Sequence, residues 1–291
     1  MERDERLAVL RAAYAKQVTA EVGVTDPAVE AAFAAVPREA FLGPGPWQAL
    51  RPGRGYTPTP SDDPAYLYTD GLFGLVTARQ LNNGQPSLHA WLLQQAAPRP
   101  GEHVVHVGAG VGYYTAIMAQ MVGEGGRVTG IEFEPDLAAR ARANFAAWPH
   151  VEILAGDGAA IPFAPADVIY VNAGATGPAR SWLDNLKDGG RLILPLTTAQ
   201  GFGAIDFAKM HRSGGVFRIA RNRDGFDAKW ISPVAIFPCE GHRDAGEEHA
   251  LAAAFAQGRF LDVRRLRRDT HASGDTCWLH GDGWCLAMGD T

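Results

Sequence analysis

"EHVVHVGAGVGYYTAIMAQMV", residues 102–122, holds the pattern from which the rest of the chain can be read. Its valine-rich opening is a short apolar run, the signature of a buried strand, while Tyr114, Ile117, Met118, Met121 and Val122 recur at helical spacing. Between strand and helix, Gly108, Ala109, Gly110 and Gly112 form a turn whose backbone can approach a ligand closely, and the helix offers its first N–H groups to an anion. The dinucleotide fingerprint is G-x-G-x-x-G, but here the third glycine falls one residue early. With no pyrophosphate to cradle, such a turn need hold only a smaller anion, for instance an amino-acid carboxylate. A tight turn without a ligand is the competing reading.

Working outward, "GRVTGIE" is the next strand, and a helix marked by Leu137, Ala141, Phe145 and Trp148 follows. Then come "VEILAG", "ADVIYVN", a helix across "PARSWLDNL", and "RLILPL". Alternation of this kind predicts an α/β, doubly wound Rossmann-like sheet. Ligands of such sheets bind at the carboxyl ends of the strands. The second strand ends at Glu132, followed by Phe133, where a carboxylate can accept both hydroxyls of a ribose. The third ends at Asp157-Gly158, where an acceptor can meet an exocyclic amine, and the fourth at Asn172. Singly these read as a surface acid and an Asp-Gly turn. Taken in succession they suggest a ligand with a carboxylate, a ribose and an aminated base, which is S-adenosyl-L-methionine.

"VVHVGAGVGYYTA", "GIEFEP", "AGDG" and "GGRLILPL" resemble the successive motifs of class I methyltransferases. "VPREAF" (36–41), "GQPSLHA" (84–90), "VIYVNAGA" (168–175) and "ISPVAIFP" (231–238) are similar, in order, to the protein-L-isoaspartate O-methyltransferase family. The resemblance implies cofactor contacts from Gln85, His89, Gly108, Ala109, Gly110, Gly112, Glu132, Phe133, Asp157, Gly158 and Asn172. Two departures stand out. His106 occupies a position that is normally acidic in the family, and a buried, satisfied structural imidazole is the reading preferred for it. The family's substrate loop has a serine two residues before its proline, whereas Gly84 stands there in "LNNGQP" (81–86).

Methyl transfer from a sulfonium to a carboxylate is a direct displacement, and the acceptor is already ionised at neutral pH. Donors that orient it suffice: the amides of Asn82, Asn83 and Gln85 and the N–H of Gly84. Asn83 and Gly84 are therefore the expected catalytic-loop positions, and the acceptor is expected to differ from the usual isoaspartyl peptide. Two other readings stay open: a methyltransferase fold kept for binding without catalysis, and a nicotinamide oxidoreductase, which the early glycine disfavours.

The 291 residues, 46% hydrophobic, suffice for one large core, organised as N-terminal helices and a Gly/Pro-rich segment (1–80), a methyltransferase core (81–238) and an α+β extension (239–291). Residues 42–80 read as an irregular loop, and the helix from Pro86 is expected to bury Leu88, Trp91, Leu92 and Gln95. In the extension, "EEHALAAAFAQGRF" reads as a helix and "DTCWLHGDGWCLAM" as a hairpin that could cover the cleft, extend the sheet or make a homodimer contact. "VRRLRRD" reads as a solvated basic face, with docking of an acidic peptide as the alternative. Cys239-x2-His242 and Cys277-x2-His280 have zinc-like spacing, but cysteine in an apolar strand behaves as a small hydrophobe, and no metal is expected. A net charge of −5 argues against nucleic acid or an anionic membrane as partner. With no apolar run of membrane length and few cysteines, a cytoplasmic protein acting on a peptide, protein or small carboxylate is expected.

Overall fold

The computed structural model describes residues 3–198, 207–272, 274 and 276–289, so Asp275 of the expected hairpin lies outside the described residues. The chain gathers into two compact units, Met1–Glu102 with Ala109–Ala155, and His103–Gly108 with Gly156–Thr291. In the first, the expected N-terminal helices are α1 (Arg3–Glu21) and α2 (Pro27–Ala35). Asp26 caps α2 by accepting the Ala28 N–H at 2.9 Å, and Pro27 pre-sets its first turn. A short helix, α3 (Glu39–Leu42), follows.

The 42–80 segment is more regular than expected. It contains the hairpin β1 (Gln48–Arg51) and β2 (Gly55–Pro58), while β3 (Gly74–Val76) pairs with β4 (Leu81–Asn82). Arg38 explains much of this order. Its side chain is fully buried, and its guanidinium donates to the carbonyls of Leu67, Thr69 and Gly71 at 2.5–2.9 Å. The rings of Tyr14, Phe73 and Tyr113 surround it at 5.1–5.7 Å. A buried cation is tolerated only when carbonyl dipoles and ring faces replace its hydration, and here they also pin the loop.

The helix α4 (Pro86–Ala96) presents a different face from the one expected. His89, Ala90, Leu92, Leu93 and Ala96 are buried, whereas Leu88, Trp91 and Gln95 are half-buried. The imidazole of His89 took the place assigned to leucine because it stacks on Tyr114, with centroids 3.5 Å apart. The strand β5 (His103–Val107) belongs to the second unit; the first continues with α5 (Tyr113–Val122), β6 (Arg127–Glu132), α6 (Pro135–Asn144) and β7 (Val151–Ala155). β6 and β7 pair in parallel from Val128↔Val151 to Glu132↔Ala155.

In the second unit, β5, β8 (Ala166–Val171) and β9 (Leu186–Thr197) are parallel, and the short α7 (Arg180–Asp184) connects the last two. All five residues of β5 are buried, which accounts for its unbroken apolar reading. Beyond β9 the pairing becomes antiparallel, through β10 (Gly214–Asn222) and β11 (Gly225–Pro233). The extension supplies α8 (Ala245–Gln257), β12 (Val263–Arg267), β13 (Cys277–Gly281) and β14 (Trp284–Met288). β12 pairs with β11, then β14 with β12 and β13 with β14, so the extension lengthens the sheet. Part of the basic run is therefore strand β12; Arg267 meets Asp269, and Arg268 meets Asp184. Among the described residues no helix is long and apolar enough to cross a membrane.

Candidate active site

In the first unit, the glycine turn is tied to the end of β6. The Ala109 N–H donates to the Ile131 carbonyl at 3.1 Å, and the Gly110 N–H to Glu132 Oε2 at 2.6 Å. Glu132 Oε1 accepts the Glu134 N–H at 2.9 Å. Burial raises the Glu132 carboxyl above its ordinary range, and these backbone N–H groups pull it partly back. The Phe133 N–H also bonds this carboxylate, and the acceptor capacity left on its two oxygens can take a ribose hydroxyl. Phe133, next in the chain, is exposed. Gly112 starts α5 with φ +96°, and a β-carbon there would collide with the Phe145 ring. That position requires glycine for both reasons.

The loop before α4 is held against α5 by Tyr114, whose hydroxyl donates to the Gly84 carbonyl at 3.0 Å. Sequence alone offered four donor groups in this loop, and the structure gives three of them a partner. The Gly84 N–H donates to Asn82 Oδ1 at 2.9 Å, and Asn82 Nδ2 donates to the Tyr56 hydroxyl at 3.2 Å. Gln85 Nε2 donates to Asp70 at 2.8 Å; the same carboxylate accepts the N–H and hydroxyl of Ser87 and so caps α4. Asn83 accepts the Phe73 N–H at 2.7 Å, but its Nδ2 is buried and has no partner. Asp70 and Tyr114 were missed by sequence reasoning. The Asp-Gly pair at 70–71 was a turn signal, and Tyr114 counted only as a core residue.

The second unit contributes the other strand ends. The Asn172 N–H donates to the Val107 carbonyl at 2.8 Å, and its side chain reaches the Gly108 carbonyl at 3.3 Å. Asp157 Oδ1 accepts the Ala159 N–H at 2.8 Å, an Asx turn that leaves Oδ2 available. The Gly158 carbonyl accepts from Trp182 Nε1 at 2.8 Å. Gly241 lies against the Asp157 carboxylate, where a β-carbon would come within 2.6 Å of Oδ2. His106 is fully buried with its ring edge-on to Tyr170 at 5.5 Å, and burial lowers its pKa to about 3. It is a neutral core group at physiological pH.

Cys239 and His242 do not join Cys277 and His280. The Cys239 N–H donates to Gly174, and His242 packs on Trp182 at 5.4 Å. Cys277 and His280 instead stand with His271 and Cys285, a grouping the sequence spacing did not reveal.

The strand alternation, the glycine turn and the acid clasped to it define the fold of the class I S-adenosylmethionine-dependent methyltransferases. A solved structure of a Plasmodium falciparum protein, described as a protein-L-isoaspartate O-methyltransferase in complex with S-adenosyl-L-homocysteine, superposes with a TM-score of 0.59 at 17% identity, covering 79% of this chain and 98% of that one. The family described as Protein-L-isoaspartate(D-aspartate) O-methyltransferase (PCMT) matches residues 53–219, more than half of the chain. A Protein-L-isoaspartate O-methyltransferase of Methylorubrum populi is 30% identical over 74% of this chain and 88% of its own. One from Ignicoccus hospitalis is 34% identical over 53% of this chain and 69% of its own, and one from Methanopyrus kandleri matches over only about half of its length, 51%. The chain belongs to the protein-L-isoaspartate O-methyltransferase family. That family's enzymes are S-adenosyl-L-methionine-dependent and methylate carboxyl groups of isoaspartyl residues in peptides and proteins.

Proposed function

We propose that this chain transfers the methyl group of S-adenosyl-L-methionine to a carboxylate oxygen of a peptide, protein or small acid acceptor other than the usual isoaspartyl site. The carrying observation is the rebuilt loop beside an intact glycine turn: the turn and Glu132 are kept, while the family's serine position is Gly84. The residues present fit the cofactor. Glu132 keeps acceptor capacity for a ribose hydroxyl, Asp157 Oδ2 suits an exocyclic amine, and the glycines of the turn admit a carboxylate at the start of α5. Gly158 and Asn172 in the second unit and the exposed Phe133 in the first are assigned to the cofactor as well.

When bound, S-adenosyl-L-methionine supplies an electrophilic methyl on a sulfonium. The chain's own residues then have to align the acceptor and exclude water, because an ionised carboxylate needs no general base. Asn83 Nδ2, the unpartnered buried donor, is the group assigned to orient the acceptor. A buried amide without a partner costs about 1–3 kcal/mol, a cost offset when a carboxylate accepts from it. The stacking of His89 on Tyr114 and the bond from Gln85 to Asp70 hold the loop's conformation.

The test is methyl transfer from labelled cofactor to isoaspartyl peptides, free acids and a host lysate, with hydroxide-labile label marking an ester. Label in a non-isoaspartyl acceptor supports the reading. Isoaspartyl peptides methylated as efficiently as by a serine-containing relative would remove the altered specificity, and absence of S-adenosyl-L-methionine binding would remove the activity itself.

A further inference from the structure

We propose that His271, Cys277, His280 and Cys285 bind a zinc ion that ties the segment after β12 to the β13–β14 hairpin. Their donor atoms all lie within 4.8 Å of one another. His271 Nε2 is 3.2 Å from Cys277 Sγ, which is 3.8 Å from His280 Nδ1. Tetrahedral zinc, with arms of ~2.3 Å to sulfur and ~2.0–2.1 Å to nitrogen, places its ligands roughly 3.3–3.8 Å apart. The ion therefore has to draw in only the widest edges.

The strands explain how the four converge. Residues three apart on a regular strand point to opposite faces, which would separate Cys277 from His280. The β13–β14 register shifts between Cys277 and Leu279, and one extra residue reverses the alternation, so both side chains emerge on one face. Cys285 is the direct cross-strand partner of His280 and shares that face. His271 arrives from the far end of β12, whose Arg267 pairs with Cys285.

A further contact supports the assignment. His271 Nδ1 is 2.9 Å from Asp269 Oδ1, and Asp269 is held by Arg267 at 2.5 Å. A carboxylate on the remote imidazole nitrogen orients the ring and leaves Nε2 to the metal, the usual outer arrangement of histidine ligands. Two thiolates and two imidazoles select zinc over calcium or magnesium, and four protein donors leave no open position, so the ion is structural. The neighbour of Cys285, Trp284, packs against Gly177 in the loop after β8, where a β-carbon would come within 2.5 Å of the indole. The zinc thus braces a segment that supports the carboxyl end of a parallel strand.

The test is elemental analysis of the untagged full-length chain, prepared under reducing conditions and dialysed against metal-free buffer, with thiol counting alongside. About one zinc per chain is expected, retained in Cys239→Ser and lost in Cys285→Ser and His271→Ala. Should those variants fold poorly, cobalt added to the metal-stripped natural chain decides: thiolate-to-cobalt charge transfer with tetrahedral d–d bands supports the site. Zinc retained in Cys285→Ser, a Cys277–Cys285 disulfide in the reduced preparation, or stripped protein that takes up no cobalt would each overturn it.

Discussion

The imidazole of His89 fills the space that a side chain would need at Gly84. A β-carbon built there would collide with His89 Nε2, and Gly84 itself is held at φ +75°. The loop glycine and the buried histidine are therefore sterically coupled positions. Restoring the hydroxyl as Gly84→Ser should destabilise the chain by about 1–3 kcal/mol, through backbone strain together with the clash. Adding His89→Ala removes the clash but not the strain, so the double variant should unfold at higher denaturant than the sum of the single effects allows. Strict additivity in denaturant titrations would show that the two positions do not compete for space.

Asn83→Asp keeps an oxygen for the Phe73 N–H and replaces the unpartnered donor with an acceptor. Loss of a hydrogen bond to a charged acceptor is worth about 1.5–3 kcal/mol, so kcat/KM should fall roughly 10- to 150-fold. Cofactor affinity, measured by calorimetry, should hardly change. Protonation of the new carboxyl restores a donor, so the deficit should shrink at lower pH. A deficit independent of pH, or one confined to cofactor binding, would remove Asn83 from the acceptor site.

Burial raises the Glu132 carboxyl, and this gives two pH dependences of opposite sign. A carboxyl whose folded pKa lies above its unfolded value favours the folded state at low pH, and that contribution is lost as pH rises from the unfolded value through the folded one. Cofactor binding needs the ionised form to accept ribose hydroxyls, so affinity should rise across the same window. Calorimetric titrations on both sides of it test the point, with Glu132→Gln expected to bind weakly and without the pH step. A natural chain whose affinity is flat across that window would argue against Glu132 as the ribose acceptor.

His106 acts in the other direction. Burial holds its pKa near 3, against 6.5 for a free imidazole. Stability from the neutral ring is complete above pH 6.5 and is lost as pH falls toward 3, because the unfolded chain takes a proton that the folded chain refuses. By pH 4.5 the loss should reach about 2–3 kcal/mol, at ~1.4 kcal/mol per pH unit. His106→Gln should narrow the gap between unfolding midpoints at neutral and acid pH, and an unchanged gap would place the acid sensitivity elsewhere.

In the first unit the glycine turn and the acid it bonds were legible in the chain. The positive φ of Gly112 and the Asp26 cap are local, and the step from Gly112 to Glu132 spans one helix and one strand of ordinary length, whereas the Phe145 ring that also excludes a side chain at Gly112 comes from farther along the chain. The donors of the substrate loop were legible only as types. Whether an amide is free depends on its neighbours in space: Gln85 is claimed by Asp70, fifteen residues earlier, and Gly84 by Asn82. Helix α4 misled for the same reason, since helical spacing could not foretell a stacking partner on α5 for His89.

The sequence by itself determined the strand–helix alternation, the glycine turn and the acids at the strand ends, because each follows from local periodicity and short-range backbone chemistry. Only the tertiary structure decided which polar groups remain unpaired and which cysteines meet. Asn83 Nδ2 emerges as the buried donor without a partner, while the Asn82 and Gln85 amides meet distant partners and the Gly84 N–H meets Asn82. Cys277 joins Cys285 and not Cys239 because one irregular step in a strand register turns two side chains to the same face. A one-residue slip reverses every side chain beyond it, and no spacing rule read along the chain contains that information.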